Sequence, residues 1–198
     1  MVFAHVLWKP CLVLLGSVAV LALGGCAVLP SAPVVSAPPR ATLEAFALEG
    51  RFSLRNENKN YSGRLSWRHK GVGNTLLLSS PFGQGLAEIT TDENGAQLLA
   101  SDGKRYTADT AEMLTEQVLG YPLPLAQLTD WVRGRDDAPG LSDRDAAGRP
   151  FHLRYADWRI EYGYEGDDPE SPPSRLFAER TGGLELRLKI DEWNSLTP

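Results

Sequence analysis

From Phe46 onward, apolar and polar positions alternate with a period of two. Phe46, Leu48, Gly50, Phe52 and Leu54 share one face, with Glu49, Arg51, Ser53 and Arg55 on the other. Tyr61, Gly63, Leu65 and Trp67 alternate in the same way with Ser62, Arg64, Ser66 and Arg68. Near the end, Leu184, Leu186, Leu188 and Ile190 alternate with Glu185, Arg187, Lys189 and Asp191. Side chains of a strand point alternately to the two faces of its sheet, so the pattern predicts strands with one buried and one wet face, as in antiparallel sheets. It argues against a transmembrane barrel, whose outward face would put these Arg and Lys side chains in lipid. Further strands are expected at about 74–80, 85–91, 96–101, 104–107, 151–156, 158–164 and 175–180. Asn94-Gly95 and Asp102-Gly103 are hairpin dipeptides that favour positive φ, and strands joined by such turns form a meander.

In the middle the period becomes helical. Ala111, Leu114 and Val118 fall at i, i+3 and i+7, with Asp109 or Thr107 as the expected N-cap and Gly120 as the stop. Tyr121-Pro122-Leu123-Pro124 interrupts. A second helix starts with Pro124 near its first turn, buries Leu125, Leu128 and Val132 with Trp131 flanking, and stops at Gly134. Two short helices hinged by prolines can lie over the concave side of a curved sheet, either as a core plug or as a lid over a cavity. Periodicity does not separate the two. The segments Arg135–Arg149 and Glu165–Ser174, acidic and rich in Gly and Pro, read as solvated connections.

The first residues have a different character. One charge, Lys9, precedes an apolar run from Cys11 to Leu23. Thirteen helical residues rise about 20 Å, short of the roughly 30 Å hydrocarbon core, which suits the h-region of a signal peptide better than a membrane span. Leu23-Gly24-Gly25-Cys26 resembles the bacterial lipobox, which implies that Cys26 is acylated and becomes the first residue of the mature chain. Ala27 follows where Asp would signal retention in the inner membrane, so the resemblance implies the outer membrane. Residues 27–40 hold four prolines and one charge and read as a semi-rigid tether, able to reach about 43 Å at roughly 3.1 Å per residue. The expected organisation is a signal peptide over 1–25, a lipidated Cys26 and tether over 26–43, and a folded domain over 44–198.

Composition narrows the chemistry. The 198 residues are 42% hydrophobic with a formal net charge of −5, which suits a globular chain without a basic nucleic-acid footprint. Both cysteines, Cys11 and Cys26, precede the folded part, so neither a disulfide framework nor a thiolate zinc site is available there. A domain of about 150 residues needs no such staple. His69 and His152 lie in separate predicted strands, outside any ligand spacing. There is no G-x-S-x-G elbow and no P-loop; Gly83-Gln84-Gly85 precedes a strand, not a helix. Asp136-Asp137 and Asp167-Asp168 read as solvated acidic runs. A binding protein rather than an enzyme is expected, with no metal and no cofactor beyond the acyl groups on Cys26.

One turn stands out: Ser79-Ser80-Pro81-Phe82-Gly83-Gln84-Gly85 places a phenylalanine between Pro and Gly. Either the ring folds back on the core or it stands in water. The second arrangement forgoes about 1.5–3 kcal/mol of burial and so implies a partner or a bilayer.

A lipobox and Pro-rich tether lead to Leu48-Glu49-Gly50-Arg51-Phe52 and Gly63-Arg64-Leu65-Ser66-Trp67. Ser80-Pro81-Phe82-Gly83, Asp102-Gly103-Lys104-Arg105-Tyr106-Thr107 and Gly120-Tyr121-Pro122-Leu123-Pro124-Leu125 follow. Trp131-Val132-Arg133-Gly134 and Lys189-Ile190-Asp191-Glu192-Trp193 complete the series, and the order of these motifs is similar to that of the outer-membrane lipoprotein receptors of the Lol pathway, the LolB family. The resemblance implies a mainly β fold, a strongly curved antiparallel sheet forming an incomplete barrel with two or more short helices over an apolar cavity. It implies a monomeric receptor that takes acylated lipoproteins from a soluble periplasmic carrier of LolA type and inserts them into outer-membrane lipid. In the family an exposed apolar residue, commonly Leu, serves insertion from the loop matching 80–85, which assigns that role to Pro81, Phe82 and Gly83 with Phe82 at the tip, and favours the exposed arrangement. The cavity is expected to be lined by Phe52, Leu54, Leu65 and Trp67 from strands and Leu114, Val118, Leu125 and Leu128 from helices. The competing reading is a lipid-anchored envelope scaffold with no ligand cavity.

Overall fold

A computed structural model describes residues 37–135 and 137–197. The signal peptide, Cys26 and most of the expected tether therefore lie outside the described residues, as does Asp136. The described residues form one compact unit, to which all the strands and helices below belong.

Eleven antiparallel strands form one sheet: β1 (Phe46–Arg55), β2 (Asn60–Lys70), β3 (Gly73–Ser79), β4 (Gly85–Asp92), β5 (Gly95–Ala100), β6 (Arg105–Ala108), β7 (Leu141–Arg144), β8 (Pro150–Tyr155), β9 (Trp158–Gly163), β10 (Arg175–Arg180) and β11 (Leu184–Ser195). The spatial order is β6-β5-β4-β3-β2-β1-β11-β10-β9-β8-β7. Two meanders thus run outward from a central pair made by the first and last strands, and the sheet does not close: β6 and β7 are its edges. The mainly β, incomplete barrel is the architecture that the alternation and the family resemblance predict.

Alternation becomes burial in the expected sense. Phe46, Leu48, Leu54, Leu65, Trp67, Leu186, Leu188 and Ile190 are buried on the inner face, while Glu49, Arg51, Arg64 and Lys189 face water. Strong curvature at the centre depends on two glycines. A Cβ on Gly50 would sit 2.3 Å from the Lys189 carbonyl oxygen, and one on Gly63 would sit 2.1 Å from that of Ser79. Both distances are far inside van der Waals contact, so only glycine lets the neighbouring backbones approach this closely. Gly50 also marks a register shift between β1 and β11, and such bulges bend a strand and increase its twist.

The helices are α1 (Ala111–Leu119) and α2 (Leu125–Arg133). The N-cap of α1 is Thr110, whose hydroxyl accepts from the Met113 amide, not Asp109 or Thr107. A side-chain oxygen at the N-cap satisfies an amide two or three residues on, and only position 110 stands in that relation to this helix. Gly120 and Gly134 end the helices as expected. Helix α2 is deeply anchored. Leu128, Trp131 and Val132 join the main core, and Trp131 packs on Trp158 with ring centroids 5.6 Å apart. Helix α1 is held less: only Leu114 and Thr115 are buried, and Met113 is exposed.

Three connections differ from the reading as solvated chain. The stretch 135–149 contains β7, a short bulged edge strand on β8. Arg149 is buried, paired with Asp145 at 2.8 Å and stacked over the Tyr164 ring. Pro172, Pro173 and Ser174 are buried, and the Pro173 carbonyl accepts the indole N–H of Trp193. Finally, residues 40–43, assigned above to the tether, belong to the fold. A 3-10 turn over Arg40–Thr42 precedes Leu43, which enters the core, and the buried Arg40 donates to the Pro169 and Gly134 carbonyls.

Candidate functional site

The inner face carries two separate apolar clusters. The larger gathers Phe46, Trp67, Leu128, Trp131, Ile160 and Trp193; the smaller gathers Ala96, Leu98 and Leu114 beneath α1. Where they fail to merge, a cavity of about 580 Å³ remains, within the range of about 300–1,000 Å³ usual for ligand sites. Phe52, Leu54, Leu65 and Trp67 line it from β1 and β2, and Val118, Leu125 and Leu128 cover it from the helices. These are seven of the eight positions expected to line it. Leu114 is the exception: it is fully buried against Ala96 and Leu98. The inner stripe of α1 is rotated so that Ala111, Thr115 and Val118 face the cavity while Leu114 points at β5.

Thr115 is the one polar side chain that α1 turns inward, and it is fully engaged. Its hydroxyl donates to the Ala111 or Glu112 carbonyl, both 3.0 Å away, and accepts from the Leu123 amide at 2.8 Å. It therefore ties α1 to the Pro-rich hinge without presenting an unsatisfied group to the interior. Trp67 is satisfied too, its indole N–H donating to Asn74 Oδ1 at 2.9 Å. Asp102 is the single charged residue of the lining, and it stands exposed at the rim. The interior is thus uncharged and offers apolar contact.

Exposed lining residues mark the mouth: Asn60, Tyr61 and Ser62 at the start of β2, Asp102 in the β5–β6 turn, and Leu86 on β4. Leu86 is a bulge residue, because Leu78 pairs with Ala87 and Ser79 with Gly85, leaving Leu86 without a partner on β3. Pattern reading missed Leu78, Leu86, Ile89, Leu98 and Leu123 as lining residues. The alternation of the predicted strands carried the signal for Leu78, Ile89 and Leu98, whereas Leu86 joins them only through the bulge and Leu123 lies in the hinge between the helices; which elements curve around a common space is a tertiary matter.

Four residues before Leu86 stands Phe82, 99% exposed. Its loop is a three-residue hairpin connection: the Ser80 amide donates to the Gln84 carbonyl at 2.7 Å and the Gly83 amide to the Ser80 carbonyl at 2.9 Å. Gly83 has φ +85°, the left-handed conformation that closes such loops. Pro81 pre-sets the first position, and the Ser80 hydroxyl accepts from the Gln84 amide. The ring is held outward by a braced turn. Of the two arrangements open to it, it takes the exposed one.

A half-open antiparallel barrel with an uncharged cavity and an apolar prong at its mouth defines a binder of apolar ligands. Comparison with known proteins narrows this. The family model described as "Outer membrane lipoprotein LolB" matches residues 44–193. An outer-membrane lipoprotein LolB of Dechloromonas aromatica is 38% identical over 176 residues, covering 86% of this chain and 91% of that protein. That of Thiobacillus denitrificans is 37% identical over 179 residues, covering 88% and 92%. Among solved structures, a LolA superfamily protein, NE2245 from Nitrosomonas europaea, aligns with a TM-score of 0.43 at 10% identity, covering 78% of this chain and 87% of that one. The chain belongs to the LolB family of outer-membrane lipoproteins. Among the described residues no helix is long and apolar enough to cross a membrane.

Proposed function

We propose that this chain is a receptor that takes the acyl groups of lipoproteins from a soluble periplasmic carrier into its cavity and passes them to outer-membrane lipid. The observation that supports this best is the uncharged cavity of about 580 Å³ whose mouth, at Leu86, lies beside the projecting Phe82. Acylation of Cys26 would hold the receptor at the membrane through the tether. The work is affinity ordering and requires no catalytic group. Each CH₂ withdrawn from water contributes about 0.8 kcal/mol, so an acyl chain does not cross an aqueous compartment uncovered. A receptor that buries chains better than the carrier by about 2.7 kcal/mol draws transfer roughly 100-fold forward.

At roughly 30 Å³ per heavy atom, the share of one water in the liquid, the cavity holds about twenty atoms, one long acyl chain. A client with more than one chain requires the cover to move, and α1 is the helix with the smaller buried anchorage. The test uses residues 37–198 as a monomeric soluble domain, mixed with carrier loaded with a radiolabelled acylated lipoprotein. Label that moves to the domain only when the client is acylated supports the receptor. A folded domain that takes no label would overturn it and favour the scaffold, which needs no cavity.

A further inference from the structure

The outer face of the sheet carries an arrangement that strand pairing alone does not favour. Reading across four neighbouring strands, Arg64 on β2 is opposite Arg51 on β1, Arg51 is opposite Lys189 on β11, and Lys189 is opposite Arg175 on β10. Four cations stand in one cross-strand row, about 14 Å long at the usual strand spacing. Like charges directly opposite one another destabilise a sheet. Another row on this face is charge-balanced: Arg55, Glu185, Glu179 and Arg159 are consecutive partners, and although Glu185 and Glu179 face each other, each is ion-paired to the arginine on its other side. In the cationic row the nearby carboxylate is Asp191, which takes both guanidinium contacts of Arg51, at 2.8 and 3.1 Å, and lies 3.9 Å from Lys189. One carboxylate against four cations leaves three positive charges in excess, on a chain whose net charge is −5.

The row is continuous with the Phe82 loop. Arg64 is paired with Ser79, the last residue of β3 before that loop, and its Nε donates to the Pro81 carbonyl at 3.5 Å. On the other side, Arg51, Lys189 and Arg175 border an open groove of about 1,030 Å³, partly floored by Phe177, over whose ring Arg187 stacks. The acids bordering that groove are Asp145, already bound to Arg149, with Asp167 and with Glu161, the β9 partner of Phe177.

We propose that the row Arg64–Arg51–Lys189–Arg175 binds the phosphates of an anionic lipid surface, so that the domain lies with this face toward the headgroups while Phe82 enters the hydrocarbon. The inference rests on the reading of Phe82 as a membrane-entering residue. Charge complementarity and continuity with that residue favour lipid over an acidic protein. Each cation near an anionic surface strengthens binding about fivefold at low ionic strength, and the effect fades within a Debye length of about 8 Å at physiological salt.

The test is co-sedimentation of the 37–198 domain with vesicles of phosphatidylcholine alone and of phosphatidylcholine with phosphatidylglycerol. The unsubstituted domain should prefer the anionic vesicles, and 0.5 M salt should abolish that preference without any substitution. The double variant Arg175→Gln/Lys189→Gln should lose about 25-fold on anionic vesicles and little on neutral ones, with thermal stability equal or higher because like-charge contacts are relieved. Phe82→Ala, which changes no charge, should weaken binding to both vesicles and leave their ratio unchanged, which separates failure of the insertion reading from failure of this one. Equal binding of the unsubstituted domain to both vesicles would overturn the proposal. So would a double variant that keeps its vesicle preference but no longer accepts cargo from the carrier, since the row would then serve a protein partner. Displacement from vesicles by millimolar inorganic phosphate at constant ionic strength would also overturn it, marking a discrete anion site in place of a surface.

Discussion

Phe82 allows a prediction in which stability and function separate cleanly. Its ring is 99% exposed and its loop is braced by backbone hydrogen bonds and the Ser80 hydroxyl. Phe82→Ala or Phe82→Glu therefore removes no packing, and folding stability should change by less than about 0.5 kcal/mol, as for ordinary surface substitutions. Moving a phenylalanine side chain from water to hydrocarbon yields about 1.5–3 kcal/mol, or roughly 10- to 150-fold in partition. Delivery of labelled lipoprotein from the loaded domain to liposomes should fall by that factor for the alanine variant. It should fall further for the glutamate variant, whose charge opposes entry. Loading from the carrier should be unchanged, since Phe82 does not line the cavity. Phe82→Leu should retain most of the delivery. Three measurements decide the matter: thermal denaturation, transfer from carrier to domain, and transfer from domain to liposomes. Delivery within twofold of the original for Phe82→Glu would refute the argument, and so would a variant that loads poorly.

Other outcomes follow from the interior. Ala87→Phe, which projects a ring into the cavity from β4, should cut loading at least tenfold while the domain stays folded, as read by carrier transfer alongside circular dichroism. Asn74 accepts from the Trp67 indole at 2.9 Å, lies 3.0 Å from His69 Nδ1 and is 3.3 Å from the α2 hydroxyl of Thr129. Asn74→Ala strands these buried groups and should cost about 2–4 kcal/mol in urea denaturation; a loss below 0.5 kcal/mol would contradict the network. Burial holds His69 below its ordinary pKa, with the Arg133 charge acting in the same direction and the Asn74 hydrogen bond opposing. The unfolded chain then takes the proton first, so the stability from neutral His69 is full above about pH 6.5 and declines as pH falls below it. His69→Gln should flatten the fall in melting temperature between pH 7.5 and 5.5, and an unchanged slope would assign that fall to other groups.

How much was legible beforehand varies by element, for identifiable reasons. Strands with a buried and a wet face announce themselves through side-chain alternation, and β1, β2 and β11 do so without ambiguity. β7 escaped because Leu-Ser-Asp-Arg is short, polar and bulged, an edge strand held by one neighbour. Leu114 shared the apolar stripe of α1 with Val118, yet a rotation of the helix put one against β5 and the other into the cavity. Phe82 was undecided between core and water on local grounds, and the hydrogen bonds of its loop settled the direction.

The sequence alone determined the class of fold, the limits of most elements and the glycine stops of both helices, because propensity and period are local properties. Only the tertiary structure decided that two apolar clusters stay apart and leave a cavity, that its mouth opens beside Phe82, and that Arg64, Arg51, Lys189 and Arg175 stand in one row. Those features depend on register and curvature between strands far apart along the chain, such as those that set Arg51 opposite Lys189, 138 positions on. Such register emerges only when the glycines at 50 and 63 let the central backbones close on one another.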